Sequence, residues 1–213
     1  MKIIDIESWE RKKAYKWFSA FSNPTYAVTV RLDITEYINF KKANNRNFYA
    51  DFLYLVVKAL NTVPALRQRI EDCGVVEYEA PNPSITVLMP NQTFETCKIP
   101  YKQNADDFVK TVREYIDYTQ KFGGNKDFND DKNDVYYFSC LPWLDYVQIS
   151  DPIPDDIKNA SIPRISWGKY VEENERWKIT LNVTVNHALV DGKHVSDAIN
   201  QIQKNINECK SIL

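Results

Sequence analysis

The chain has 213 residues, and its 44% of hydrophobic and 26% of charged residues are typical of a folded globular protein, not of a disordered or collagen-like one. Its 27 basic and 29 acidic residues leave a net charge of −2, which argues against nucleic acid or an anionic membrane as the main partner. Of its five glycines only Gly123 and Gly124 are close together, so the chain contains none of the Gly-rich loops that bind dinucleotides or phosphates.

The amino-terminal half predicts helices around a strand. A helix is expected over 9–21, a strand over 26–32, and a second helix starting at 33–36 with Asp33 as its N-cap. A long helix is predicted over 48–70 from apolar residues at helical spacing, namely Phe52, Leu53, Val56, Leu60 and Val63. Short strands should follow at 75–78, 84–89 and 94–99.

The middle of the chain predicts one amphipathic helix, which starts at the N-cap Asn104 and ends before Gly123. The polar stretch 123–134 is expected to be a surface loop, and the proline-containing stretch 150–163 an irregular connection. Strands are expected near 135–139 and 164–171.

The clearest strand is predicted over 176–186, because its apolar side chains alternate with polar ones: Trp177, Ile179, Leu181, Val183 and Val185. From Val195 the chain should form a helix packed on the sheet. Helices and strands mixed in this order predict an α+β fold, a two-layer sandwich in which helices cover a mixed β-sheet. We expect one domain over 1–213.

The cysteines and histidines limit the kinds of site that the chain can build. The four cysteines are widely spaced, and the amino-terminal segment is charged, so we expect free thiols and a cytoplasmic protein without a membrane span. Two histidines are too few for an ordinary zinc site, so no metal is expected.

The most informative motif follows the predicted strand 176–186. It reads His187-x-x-x-Asp191-Gly192 and leads into the last helix. The turn should bring the carboxylate back towards the imidazole. An imidazole with a pKa near 6.5 is the side chain best suited to remove a proton from an alcohol or thiol at neutral pH. With two histidines and five glycines in the chain, such a motif arises rarely by chance.

Residues 185–195 (VNHALVDGKHV) resemble the active-site motif of the chloramphenicol acetyltransferases, which dihydrolipoyl acyltransferase cores and peptide-synthetase condensation domains share more distantly. Residues 8–11 (SWER) are similar to the family's tryptophan-x-arginine segment, and residues 138–143 (FSCLPW) to its serine-x-leucine-proline-tryptophan segment. The resemblance extends from residue 8 to about residue 209, in matching order.

The resemblance implies a role for each matching residue. His187 would be the base that deprotonates the acceptor hydroxyl, and Ser139 would donate a hydrogen bond to the tetrahedral oxyanion. Asp191 and Arg11 would form a buried ion pair that shapes the turn and so orients the histidine. Ser166 falls where the family usually has a threonine whose hydroxyl acts through water.

The resemblance also implies two binding regions. Coenzyme A would contact Trp143, Lys169 and Tyr170. The acceptor would contact Phe18, Pro24 and Tyr26. The aromatic residues of this stretch, which are Tyr15, Trp17, Phe18 and Tyr26, could equally belong to the core. Phe18 stands where the family often has tyrosine, and 23–25 where it has proline-cysteine-glycine, so the type of reaction is better determined than the acceptor.

Two other residues of the motif should not act in catalysis. Asn186 replaces the first of the family's paired histidines, and we expect its side chain to point away from the reacting atoms. His194 also matches a histidine of the family, and we expect it to be structural.

By resemblance, the chain is expected to be a CoA-dependent O-acetyltransferase, with acetyl-CoA as co-substrate, chloramphenicol as acceptor and no permanently bound cofactor. It would form a homotrimer with each active site between two subunits, and thioester and alcohol would react directly. Two alternatives remain open: the same chemistry on another hydroxylated acceptor, and a non-catalytic trimeric binding protein.

Overall fold

The computed structural model describes residues 1–126 and 133–213. The helices are α1 (Lys12–Phe18), α2 (Thr35–Asn44), α3 (Phe48–Leu60), α4 (Ala105–Phe122), α5 (Ile157–Ala160), α6 (Gly192–Asn207) and α7 (Cys209–Ile212). The strands are β1 (Lys2–Ile3), β2 (Thr25–Asp33), β3 (Gln68–Glu71), β4 (Gly74–Glu77), β5 (Asn82–Leu88), β6 (Phe94–Lys98), β7 (Val135–Leu141), β8 (Arg164–Gly168), β9 (Val171–Glu173) and β10 (Arg176–Asn186). These elements confirm the expected α+β class.

In the described part of the chain, the larger sheet has the strand order β2-β10-β8-β7-β5-β6, and β9 adds to β10. Strands β5, β7 and β8 run parallel, and the other neighbours are antiparallel, so the sheet is mixed as predicted. A smaller sheet has the order β1-β4-β3.

The core lies between the apolar face of the larger sheet and the helices. Leu181 and Val183 of β10 are fully buried, and α3 packs against α6 in the helical layer. Burying a leucine or valine side chain contributes about 1.5–3 kcal/mol, so the contact between the sheet and the helices is a principal source of stability. No helix of the described residues is long and apolar enough to cross a bilayer.

The polar face of β10 is buried as well. Thr180, Asn182 and Thr184 are at most 5% exposed, because the segment that includes Asp145 and Asp151 covers this face and forms hydrogen bonds with it. Since buried polar groups are costly unless they are hydrogen-bonded, these contacts keep the second face in a single arrangement.

The helix predicted over 48–70 was too long. α3 ends at Leu60, and a 3₁₀ turn over Pro64–Arg67 leads into β3. Proline lacks the amide hydrogen that a helix interior requires, so Pro64 can only start a new turn. The apolar residue Val63, taken as part of the helical stripe, instead precedes that turn.

Other helix boundaries also shifted. α1 starts three residues later than the predicted 9–21, at Lys12, and α6 starts at Gly192 instead of Val195. The N-cap of α2 is Ile34 and not Asp33, although the Asp33 carboxylate accepts from the Thr35 amide at 3.0 Å. The prediction for 123–134 falls partly on 127–132, which lie outside the described residues.

Candidate active site

The backbone around His187 is fixed by the turn that follows β10. The carbonyl of Asn186 accepts from the amides of Leu189 and Val190, and its side-chain oxygen accepts from the amide of Ala188 at 2.9 Å. The His187 amide donates to the carbonyl of Pro24 at 2.8 Å. Asn186 is buried and faces this turn, so its side chain serves the turn and not the histidine ring.

Arg11 joins this turn to the amino-terminal segment. Its guanidinium pairs with one oxygen of Asp191 and donates to the carbonyl of His187 at 3.0 Å. The other Asp191 oxygen lies 3.4 Å from His187 Nδ1, in a geometry that forms no hydrogen bond. The expected ion pair is present but not buried, because the Asp191 side chain is 41% exposed at the start of α6, against 13% for Arg11.

Two aromatic rings hold the His187 imidazole. The Phe18 ring stacks on it at 3.9 Å between centroids and 11° between planes, and the Tyr26 ring lies at 4.7 Å and 41°. Tyr26 is itself anchored by its hydroxyl, which donates to the carbonyl of Val190 at 3.4 Å. The His187 side chain remains 34% exposed, so a substrate can reach the ring.

The predicted acceptor wall around this ring is divided. Phe18 and Tyr26 are half-buried against His187, whereas Pro24 is buried and meets the histidine through its backbone carbonyl. Trp17 is 64% exposed and packs on Phe18, so the interpretation of Trp17 as core was wrong. Phe21 is also exposed, which leaves an aromatic surface next to the imidazole.

His194 lies on the other side of the same turn. Its Nδ1 accepts from the Asp191 amide at 3.0 Å, so the neutral ring satisfies a backbone donor at the start of α6. Burial and the nearby positive charge of Arg11 lower the pKa of His194. This histidine therefore shapes the turn, in line with its expected structural role.

Ser139 and Ser166 lie elsewhere on the chain. They are paired neighbours on β7 and β8, and Ser166 is in turn paired with Asn182 on β10. Asn182 precedes His187 by five residues, which is about 16 Å along an extended strand, and an odd separation places the two side chains on opposite faces. A single chain therefore does not bring Ser139 to His187.

A cavity of about 150 Å³ opens on the face that carries the two serines. Its lining includes Ser139, Ser166, Thr86, Asp151 and Arg164. The Ser166 hydroxyl donates to Asp151 at 3.1 Å. The sequence does not reveal Asp151 as a candidate, because a single acidic residue in an irregular, proline-containing stretch has no spacing signal.

The three residues predicted to contact coenzyme A come together in a larger cavity of about 720 Å³. It lies at the carboxyl ends of β7 and β8, with the start of α3 as a further wall, and its lining includes Trp143, Lys169, Tyr170, Phe48 and Cys140. Burial raises the pKa of the Cys140 thiol to about 12, so this cysteine stays protonated.

One wall of the larger cavity depends on a glycine. A Cβ atom on Gly168 would lie 2.6 Å from the carbonyl of Leu144 and 3.0 Å from the ring of Tyr146. The same carbonyl accepts from the Lys169 amide at 2.7 Å. Gly168 thus lets the loop that carries Trp143 pack directly on the end of β8.

The two cavities share one lining residue, next to the point where two strands stop pairing. The pairing of β5 with β7 ends at Ile85 and Phe138, although both strands continue. Thr86, the next residue of β5, lines both cavities. Beside Thr86 the two strands are therefore no longer paired, which leaves a gap in the hydrogen bonding of the sheet between the larger cavity and the face of Ser139.

Metal ligands do not converge on either region. Among residues 1–126 and 133–213, no three His, Cys, Asp or Glu side chains are arranged to hold a metal ion.

Comparison with known proteins gives consistent matches over nearly the whole chain. The family model described as chloramphenicol acetyltransferase matches residues 1–203. A chloramphenicol acetyltransferase from Proteus mirabilis is 27% identical over 215 residues, covering 98% of this chain and 96% of the relative. One from Escherichia coli is 27% identical over 210 residues, covering 96% and 93%.

Solved structures agree. A chloramphenicol acetyltransferase superposes with a TM-score of 0.84 at 26% identity, covering 96% of this chain and 99% of the other. A dihydrolipoamide acetyltransferase from Azotobacter vinelandii has a TM-score of 0.71 at 13% identity, covering 94% and 88%, and shares the fold.

Proposed function

Because the chain belongs to the chloramphenicol acetyltransferase family and is an acyltransferase, we propose that it moves an acetyl group from acetyl-CoA to a hydroxyl of chloramphenicol. The observation that carries this proposal is the His187 imidazole, which two aromatic rings hold in place while about a third of the side chain stays exposed. A general base needs this combination of fixed orientation and access.

The chemistry assigns His187 and Ser139 complementary roles. The acceptor oxygen forms a bond to the thioester carbonyl carbon while its proton passes to His187 Nε2. Ser139 donates a hydrogen bond to the resulting oxyanion, an interaction that lowers such barriers by about 3 kcal/mol. When the carbon–sulfur bond breaks, the proton on His187 passes to the leaving thiolate, which gives free CoA and the acetyl ester.

This chemistry requires more than one copy of the chain. His187 and Ser139 must both lie within about 3 Å of the reacting groups, yet one chain places them on opposite sheet faces and far apart. A ring of three subunits, in which each His187 faces the Ser139 of a neighbour, resolves this separation. The exposed rings of Trp17 and Phe21 beside His187 suit such an interface. We propose a homotrimer.

Acetyl-CoA, the co-substrate, fits the cavity of about 720 Å³. The ammonium of Lys169 can bind a phosphate, and the rings of Trp143 and Tyr170 offer stacking surfaces. The gap in the sheet beside Thr86 would let the thioester arm extend from this cavity to the face of Ser139. No permanently bound cofactor is needed for this reaction.

The direct test mixes the purified protein with acetyl-CoA and chloramphenicol and measures free CoA with a thiol reagent. We expect release that depends on chloramphenicol, and a loss of at least about 10³-fold in His187→Ala, because general-base catalysis contributes up to about 10⁴. A blank without acceptor corrects for the exposed thiol of Cys73. Equal turnover in His187→Ala would contradict the role of His187.

The acceptor is the part of the proposal that rests on the fewest matching residues. Phe18 stands where the family often has a tyrosine. Pro24 is buried and meets His187 through its backbone carbonyl, so it does not form an open wall of the acceptor site. A second candidate is therefore the same reaction on another hydroxylated compound. The ratio of kcat/KM for chloramphenicol to that for a panel of alcohols decides between them. If acetyl-CoA gives no free CoA with any of these acceptors, the chain is a binding protein.

A further inference from the structure

Asp151 is partly exposed and accepts hydrogen bonds from three buried donors on the sheet face that carries Ser139. One carboxylate oxygen accepts from the Ser166 hydroxyl at 3.1 Å. The other accepts from the Thr184 hydroxyl at 2.6 Å and from the Asn182 amide at 3.3 Å. The three donors are at most 5% exposed, so the network is held by the sheet and not by solvent.

This network fixes the direction of the Ser166 hydroxyl. A carboxylate can only accept hydrogen bonds, so the single proton of Ser166 points at Asp151. The lone pairs of Ser166 are then left for the cavity that it shares with Ser139. The hydroxyl of Ser139 has no such partner among the described residues, and it is therefore able to donate.

We propose that Asp151 is a positioning residue for acetyl transfer, which makes Ser166 face the reacting atoms as an acceptor only. A water molecule bound to Ser166 must then donate one hydrogen to it, and its second hydrogen is free to point at the oxyanion. In this way Asp151 supplies a second, indirect donor beside Ser139. The inference rests on the proposed function, because it needs an oxyanion at Ser139.

The charge of Asp151 does not oppose this arrangement. Three hydrogen-bond donors already surround the carboxylate, and Arg164, whose positive charge interacts with Asp151, lines the same cavity. The negative charge of Asp151 is thus balanced by its neighbours. Asp151 acts on the cavity by setting the orientation of the Ser166 hydroxyl.

The variant Asp151→Asn separates orientation from shape. The oxygen of Asn182 accepts from Thr29, so its nitrogen donates to the Thr184 hydroxyl, and that hydroxyl must keep an acceptor at position 151. The oxygen of the new amide therefore stays on that side, and its NH₂ group turns to Ser166. Ser166 would then accept from residue 151 and donate into the cavity, so the bound water would accept from Ser166 and neither of its hydrogens would be held towards the oxyanion.

The experiment compares steady-state acetyl transfer in Asp151→Asn, Ser166→Ala and the double variant. We expect kcat to fall about tenfold in each single variant, less than for loss of a direct donor, with KM for acetyl-CoA within twofold. The double variant should match Ser166→Ala, and Ser166→Thr should keep wild-type kcat. Asp145→Asn is the matched control, since Asp145 lies in the same segment but pairs with Arg31 at 2.6 Å.

The outcomes distinguish this inference from the proposed function. Near-normal kcat in Asp151→Asn beside an impaired Ser166→Ala overturns the inference alone, as does a further loss in the double variant. An unimpaired Ser166→Ala overturns both roles of that hydroxyl. If Asp151→Asn does not assemble, a crystal structure of the wild-type protein with a non-reactive acetyl-CoA analogue decides. A Ser166 hydroxyl that donates to the ligand and not to Asp151 would refute the inference.

Discussion

The two regions proposed to meet in the active site are built in opposite ways. His187 follows the end of a strand, where the Phe18 and Tyr26 rings, the Pro24 carbonyl and Arg11, which pairs with the partly exposed Asp191, hold it in place. Ser139 lies on a central strand of the sheet, where strand register and the hydrogen bonds that buried side chains donate to Asp151 fix its surroundings. With the roles proposed above, the base would keep access for an incoming alcohol, while the fold would preorganise the donors to the oxyanion.

In the proposed homotrimer each chain carries half of two sites, which mixed trimers can test. His187→Ala and Ser139→Ala should each lose at least about 10²-fold in kcat as pure trimers. When the two are unfolded and reassembled at equal amounts, about a quarter of the interfaces join an intact histidine to an intact serine. We therefore expect activity to return to about a quarter of wild type.

The control for this mixing is His187→Ala reassembled with the double variant His187→Ala/Ser139→Ala. No chain in this mixture carries His187, so the mixture should stay inactive. Failure of the first mixture to regain activity, with trimers formed, would show that the two residues do not meet between chains.

Arg11→Ala tests how the exposed region is held. The change removes the donor to the His187 carbonyl and leaves Asp191 without its cation, so kcat/KM should fall by about 10²-fold, because a base displaced by about 1 Å loses its alignment. The free energy of unfolding should fall by only about 1 kcal/mol, since Asp191 is partly exposed. Lys12→Ala, which removes a surface contact with Glu7, is the control and should leave both quantities unchanged.

Gly168→Ala tests the larger cavity, in which acetyl-CoA is proposed to bind. The added Cβ meets the Leu144 carbonyl at 2.6 Å and must displace the loop that carries Trp143. We expect KM for acetyl-CoA to rise about three- to tenfold, because the wall of the larger cavity moves, while KM for the acceptor serves as the internal control. Unchanged KM for acetyl-CoA would show that this loop does not contact the co-substrate.

His194→Asn should have the smallest effect, and only on stability. The unfolded histidine takes up a proton near its ordinary pKa of 6.5, whereas in the folded chain burial and Arg11 lower that pKa. The unfolded state thus binds more protons as the pH falls below 6.5, and wild-type stability declines there. Urea unfolding of both proteins between pH 8 and 5 should show a shallower decline in the variant. Parallel curves would contradict this account.

Local patterns in the sequence predicted local structure well. The alternation of 176–186 gave β10, and the spacing of His187 and Asp191 placed a carboxylate 3.4 Å from the imidazole, because both depend on residues adjacent in the chain. The helix predicted over 48–70 failed since its apolar spacing outweighed Pro64 in the interpretation.

Contacts between distant segments could not be predicted in this way. The role of Asp151 depends on Asn182 and Thr184, more than thirty residues later in the chain, and no spacing relates them. The separation of Ser139 from His187 follows from strand order and register, which the resemblance to a family left implicit. The roles of the site residues stay predictions.

The gap between β5 and β7 has a consequence for the choice of acyl donor. If the thioester passes beside Thr86 to reach Ser139, a propionyl or butyryl group must travel through the same narrow passage as an acetyl group. The sheet itself would then act as a sieve for acyl length, and a fold usually regarded as scaffold would set which activated acid the enzyme accepts.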